Sequence, residues 1–159
     1  MSGKAIQDYY SDDFSHCYGC GRLNERGLKI KSHREGDEMV CTFQPRPYHI
    51  SIPGYVYGGL IASIIDCHCI GTASDASLKA EGKAPGEITA PRFLTASLKV
   101  DYLKPTPLGV PITVRARARE IKGRKVIVAA ELWAAGEVRA RGEVVAVKAP
   151  DFLMNHTRK

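Results

Sequence analysis

Apolar and polar positions alternate most regularly in the last third of the chain. There Ile112, Val114, Ala116 and Ala118 interleave with Thr113, Arg115, Arg117 and Arg119, the period of two that marks a strand with one buried face. Lys122-Gly123-Arg124 then reads as a hairpin turn into a strand over Val126–Trp133. Ala135-Gly136-Glu137 turns again into a strand over Val138–Val147. Turns this short make the three segments antiparallel neighbours. Upstream, Phe93–Leu103 has strand composition and stops at Pro105-Thr106-Pro107-Leu108-Gly109. Gly27–Phe43 reads as two short strands around Glu35-Gly36-Asp37.

One segment follows a different period. From Tyr57 to about Ser74 the apolar residues Leu60, Ile61, Ile64, Ile65, Ile70 and Ala73 recur at helical spacing. Charge is scarce on every side, so this helix is expected to be buried nearly all round. Pro45–Gly54, with its prolines, and Lys79–Ala90, with Gly82, Pro85 and Gly86, read as loops. One long helix and a meander of long strands imply an α+β domain in which a sheet wraps a helix. The expected organisation is an N-terminal arm over 1–16, a single domain over 17–149 and a tail over 150–159.

Composition narrows the function. At 159 residues the chain suits one domain with a substantial core. It contains no apolar run long enough to span a bilayer. The first residues lack a signal-peptide core, and five cysteines in close pairs are not a secreted disulfide framework. These features point to a cytoplasmic protein. The net charge of +6 suits an anionic partner. No aromatic-basic interleaving accompanies it, which argues against nucleic acid. A phosphorylated small molecule would use the same charge, and arginines on a solvated sheet face need no ligand at all.

The segment Pro53-Gly54-Tyr55-Val56-Tyr57-Gly58-Gly59-Leu60-Ile61-Ala62-Ser63-Ile64-Ile65-Asp66 carries the chemistry. It sets two glycines at a helix start and one carboxylate about two turns inside. Unshielded N–H groups and the helix dipole favour an anion there, or an oxygen that becomes anionic during reaction. A lone Asp among Leu, Ile and Ala is expensive to bury unless it has partners or a task.

In several parts, in order, the chain resembles the hotdog-fold acyl-CoA thioesterases, in particular their phenylacetate-pathway-like branch. Cys17-Tyr18-Gly19-Cys20-Gly21 followed by Gly27-Leu28-Lys29-Ile30 is similar to an N-terminal signature of one subgroup. Pro53–Gly59 resembles the loop into the central helix, and Asp66 falls at the position of the catalytic carboxylate. Val100-Asp101-Tyr102-Leu103-Lys104-Pro105 with Gly109 resembles the strand ending in a Pro-Gly turn. Two positions depart from that pattern. Tyr57 replaces the usual His, and Ser51 stands where some members carry Asn or Gln near the thioester.

The resemblance implies hydrolysis of an acyl-CoA thioester without a cofactor. Gly58 N–H, with Gly59 beside it, would hold the oxyanion, Asp66 would act as base or nucleophile, and Thr95 would orient the water. Ser51, Tyr57 and Arg124 are the expected substrate contacts, Tyr57 steadying the loop by packing and through its hydroxyl. Along a helix, Gly58 and Asp66 are separated by about 12 Å, whereas both must approach the reacting atoms to roughly 3 Å. Two antiparallel helices from two subunits solve this, so a homodimer with shared sites is expected, and such dimers can pair again.

His68 lies about 200° round the helix from Asp66 and is expected to pack rather than react. Cys17 and Cys20 have metal-ligand spacing. Cys67 and Cys69 point to opposite sides of a helix, so the cysteines are read as packing residues and no metal is expected. Arg115, Arg117 and Arg119 are candidates for nucleotide phosphates, a solvated sheet face being the plainer reading. The alternatives to hydrolysis are a non-hydrolytic binder of acyl-CoA or an acyl carrier, and a dehydratase, which would want a His beside its carboxylate.

Overall fold

A computed structural model describes residues 3–150 and 152–153. The tail expected over 150–159 therefore lies, apart from Pro150, Phe152 and Leu153, outside the described residues. The main elements are β1 (His33–Glu35), β2 (Glu38–Phe43), α1 (Gly58–Ala80), β3 (Phe93–Tyr102), β4 (Ile112–Lys122), β5 (Lys125–Ala134) and β6 (Glu137–Lys148). The strands form one antiparallel sheet in the order β1-β2-β4-β5-β6-β3. The central helix packs on this sheet, chiefly on β3 to β6. The arrangement is the hotdog fold that the resemblance implies.

The alternation in β4 works as expected. Ile112, Val114 and Ala116 are buried, while Arg117 and Arg119 are exposed. The helix-facing core gathers Leu60, Ile61, Ile64, Ile65 and Ile70 against Val114, Val128, Leu132 and Val144. Close contact is possible because β6 carries Gly142, where a Cβ would sit 2.4 Å from the Ile65 side chain.

The helix exceeds its expected end at Ser74 and runs to Ala80. Its last turns look polar in sequence, yet Asp75 and Leu78 are buried. Leu78 packs in a second apolar cluster with Ile6, Tyr10, Met39 and Ala90. Asp75 pairs with Arg34 at 2.5 Å and Lys79 at 3.6 Å. Tertiary partners therefore extend a helix whose local sequence does not announce it. A short 3-10 turn, Ile6–Tyr9, brings Ile6 and Tyr9 to this end, and a second such turn, Asp12–Phe14, follows it in the chain.

At the other margin of the sheet, β3 is an edge strand. Only Phe93 in it is buried, and Leu94, Leu98 and Tyr102 stand exposed. Its register against β6 shifts between Thr95 and Ser97, a bulge that turns the preceding side chain relative to the regular pleat.

Candidate active site

The helix starts at Gly58, with Tyr57 in an extended conformation as its N-cap and no side chain closing the cap. Leu60 and Ile61 N–H bond the Tyr57 carbonyl at 3.1 and 3.4 Å, which leaves the Gly58 and Gly59 N–H groups without a hydrogen-bond partner among the described residues. Gly59 is needed by its neighbour: a Cβ there would lie 2.5 Å from the Tyr57 ring. Tyr57 thus fixes the entry to the helix by packing. Its hydroxyl makes no hydrogen bond among the described residues. The hydroxyl that grips this end belongs to Tyr102 on β3, which donates to the Gly58 carbonyl at 2.7 Å. Sequence reasoning gave Tyr102 no role, although it sits inside a recognised motif.

Two turns along, Asp66 is half-buried. The Thr95 hydroxyl, beside the β3 bulge, donates to Asp66 Oδ1 at 2.6 Å. Burial pushes the Asp66 carboxyl above the ordinary Asp value; the Thr95 hydrogen bond and the nearby Arg92 guanidinium act the other way, while Cys17 adds to the rise. Arg92 is a neighbour that the sequence reading missed. It stacks over the Tyr10 ring at 5.0 Å, and only the fold brings residue 92 towards residue 66.

Of the expected site residues, the structure brings Asp66 and Thr95 into direct contact and keeps Gly58 and Gly59 at the far end of the same helical stretch. Ser51 and Gly58 line one groove with Tyr55, Tyr102, Leu103 and Lys104. The Ser51 hydroxyl makes a long contact, 3.5 Å, to the Val56 carbonyl. Arg124 has a structural task instead of an open guanidinium. It donates to the Lys148 and Ala149 carbonyls at 3.2 and 2.9 Å, latching the β4–β5 hairpin to the end of β6. Arg115 and Arg117 pair with Glu38 and Arg119 with Glu143, the arrangement of a solvated sheet face.

His68 is fully buried and away from this chemistry. Its Nε2 donates to the Met39 carbonyl at 3.0 Å, so Nδ1 accepts from the Ser32 hydroxyl at 2.7 Å. Burial lowers its pKa to about 4. Among the cysteines, Cys67 approaches Cys17 and Cys20 so that the three sulfurs lie within 4.8 Å of one another. Cys41 and Cys69 are buried in the apolar core.

Residues 53–141 match the family model of the thioesterase superfamily. The chain is 36% identical over 94 residues to the acyl-coenzyme A thioesterase THEM4 of Xenopus laevis, covering 59% of this chain and 36% of that protein. It thus spans little more than a third of the length of that relative. Its structure resembles a thioesterase superfamily protein from Shewanella loihica at 42% identity and a TM-score of 0.67, covering 87% of this chain and 98% of the other. The PaaI protein from the phenylacetic acid degradation operon of E. coli shares the fold at 14% identity and a TM-score of 0.63, over 77% of this chain and 81% of that one. By the match over its helix and the strands that follow, this chain belongs to the thioesterase superfamily.

Proposed function

We propose that the chain hydrolyses acyl-CoA thioesters to the free acid and coenzyme A. The observation that carries this reading is the Thr95–Asp66 hydrogen bond on the same helix as an uncapped Gly58-Gly59 terminus. Family membership and the activity named for the relatives support it. Thr95 gives its only proton to Asp66, so towards a water it can only accept. A water bonded to Thr95 Oγ1 and to the free carboxylate oxygen would be held with a lone pair aimed away from both. A thioester carbonyl placed there, its oxygen on the Gly58 N–H, would be attacked by that water with Asp66 as base. Direct attack by the carboxylate would use the same groups and pass through an anhydride.

The working unit in this reading is a homodimer with sites shared between subunits. Gly59, Ala62, Ser63 and Asp66 are only partly buried and recur at helical spacing on one stripe. The β3 edge exposes Leu94, Leu98 and Tyr102, and an apolar edge strand is an aggregation hazard unless covered. A partner's helix and β3 would cover both and would set its Gly58 against this chain's Asp66. A further pairing of dimers would use other surfaces. With all five cysteines free, the reading also assigns the chain to the reducing cytoplasm.

The test is release of coenzyme A from a panel of acyl-CoAs, followed with a thiol reagent. Release that disappears in Asp66→Asn is the expected result. Tight binding with no release would identify a non-hydrolytic acyl-CoA binder. The shared site is tested by mixing two inactive chains. Gly58→Pro removes the oxyanion N–H at the helical position where proline is best tolerated, and Tyr57 at ψ 128° already has the backbone that precedes a proline. Verified heterodimers with Asp66→Ala should recover one working site; folded heterodimers that stay inactive would break the cross-subunit arrangement.

A further inference from the structure

The five cysteines divide by environment. Cys41 and Cys69 sit in the apolar core, where burial pushes the Cys41 thiol up to about 12 and Cys69 likewise upward. Cys17, Cys20 and Cys67 turn their sulfurs towards one another. Cys17 Sγ and Cys67 Sγ are 3.9 Å apart, and all three lie within 4.8 Å. Sulfurs bound at about 2.3 Å in a tetrahedral zinc site are about 3.8 Å apart. In a disulfide they would be at about 2.05 Å. The Cys17–Cys67 spacing matches that of two ligands around an ion, and Cys20 completes a set of three within reach of one centre.

The backbone supports the same arrangement. Cys17-Tyr18-Gly19-Cys20-Gly21 is wound into a tight knuckle by the Gly21 N–H to Cys17 carbonyl bond of 2.7 Å. Further along, Ile30 N–H bonds the Gly19 carbonyl at 3.0 Å and Leu28 N–H the Tyr18 carbonyl at 2.8 Å, so the loop is fixed independently of any ion. Two glycines make room: a Cβ on Gly19 would lie 2.3 Å from Cys67 Sγ, and one on Gly21 would lie 2.5 Å from the Cys17 nitrogen. Packing alone does not ask for a third thiol from a separate element.

We propose that Cys17, Cys20 and Cys67 bind a zinc ion as three thiolates, tying the N-terminal knuckle to α1 immediately after Asp66. Binding as three thiolates releases the thiol protons to solvent and leaves a three-sulfur complex of net charge −1. Cys17, the partly exposed member, puts the fourth coordination position on the solvent side, where water or an external thiolate can complete the tetrahedron. Soft thiolate ligands in this geometry select zinc over magnesium or calcium.

The experiment uses the full chain, reduced, loaded with Zn²⁺ and dialysed into metal-free buffer. One zinc per chain by elemental analysis is expected. Co²⁺ in its place should give the intense visible bands of a tetrahedral site with thiolate-to-cobalt charge transfer. Cys17→Ser, at the exposed corner, should lose the bound equivalent while circular dichroism stays that of the native chain. Cys69→Ser should keep it. Gly19→Ala retains every thiol but crowds Cys67, and should weaken cobalt binding at least tenfold. The proposal is overturned by a reduced wild-type chain that retains no metal, by folded Cys17→Ser that retains the full equivalent, or by cobalt spectra without sulfur ligation.

Discussion

The two halves of α1 treat polar groups in opposite ways. In the half that begins at Cys67, each polar side chain with a named partner is bound within the protein. His68 uses both ring nitrogens, Thr72 donates to the His68 carbonyl, Ser74 donates to the Pro91 carbonyl, and Asp75 meets Arg34 and Lys79. In the half from Gly58 to Asp66, bonding capacity is left over. The helix start has no side-chain cap, and among the described residues Asp66 has one hydrogen bond, from Thr95, for a group with room for about four. A polar residue in an apolar helix is therefore no sign of chemistry by itself. Spare capacity, held in position on a partly open face, is what distinguishes the first half.

Exchanging the carboxylate for its neutral isostere should give the largest effect. Asp66→Asn keeps the shape and the Thr95 bond but removes the base. Turnover should fall by about 10²–10⁴-fold, while the urea midpoint stays level or rises because a half-buried charge is gone. A matched loss of stability would mean that Asp66 belongs with Asp75, as a structural carboxylate.

The second half should fail in the opposite sense, through stability. His68 is held neutral, with its folded pKa near 4 against the ordinary 6.5. The unfolded chain therefore binds the proton more readily between these values, and stability falls as pH drops from 6.5 through 4. Fully expressed, the loss is about 3 kcal/mol. Protonated Nδ1 would face the Ser32 hydroxyl, which already receives a bond from the Gln7 amide at 3.0 Å. In urea titrations at stepped pH, His68→Gln should flatten this part of the profile; an unchanged slope would place the acid sensitivity elsewhere. Asp75→Asn should lower stability by about 2 kcal/mol at neutral pH, less than for a fully buried pair because Arg34 is 35% exposed. Acyl-CoA turnover per folded chain should be unaffected.

The sequence revealed the first half of this helix better than the second. Two glycines, an apolar period and one Asp are local signals, and they located the helix start and its carboxylate. The last turns of α1 are specified by contacts with residues far away, Ile6, Tyr10, Arg34 and Ala90. A string reading Ala-Ser-Asp-Ala-Ser-Leu-Lys carries little trace of them. The strands were legible because alternation records burial directly. The bulge beside Thr95 was not, since a register shift between β3 and β6 leaves no period of its own. Arg124 shows the converse case. A basic residue after a turn suggests phosphate, and only the fold shows that its guanidinium meets two carbonyls. Cys67 joined Cys17 across 50 residues, a convergence that spacing alone did not reveal.

The smallest effect separates two tyrosines at the start of α1. Tyr57 was expected to steady the loop through both ring and hydroxyl. The structure divides those tasks: the Tyr57 ring packs over Gly59, and the Tyr102 hydroxyl bonds the Gly58 carbonyl. That bond tethers the first turn of the helix to the edge strand and so sets the direction of the N–H groups assigned to the oxyanion. Tyr102→Phe should lose about 1 kcal/mol of this restraint, which is roughly a fivefold fall in turnover if it appears wholly in the barrier. Tyr57→Phe keeps the ring and should change turnover by less than this. Tyr57→Ala, which uncovers Gly59, should exceed both. The three variants need only one assay, on the best substrate of the panel, with KM and kcat separated. If Tyr57→Phe is the more damaging hydroxyl deletion, the Tyr57 oxygen reaches the bound thioester, and packing over Gly59 is not the whole of its part at the helix start.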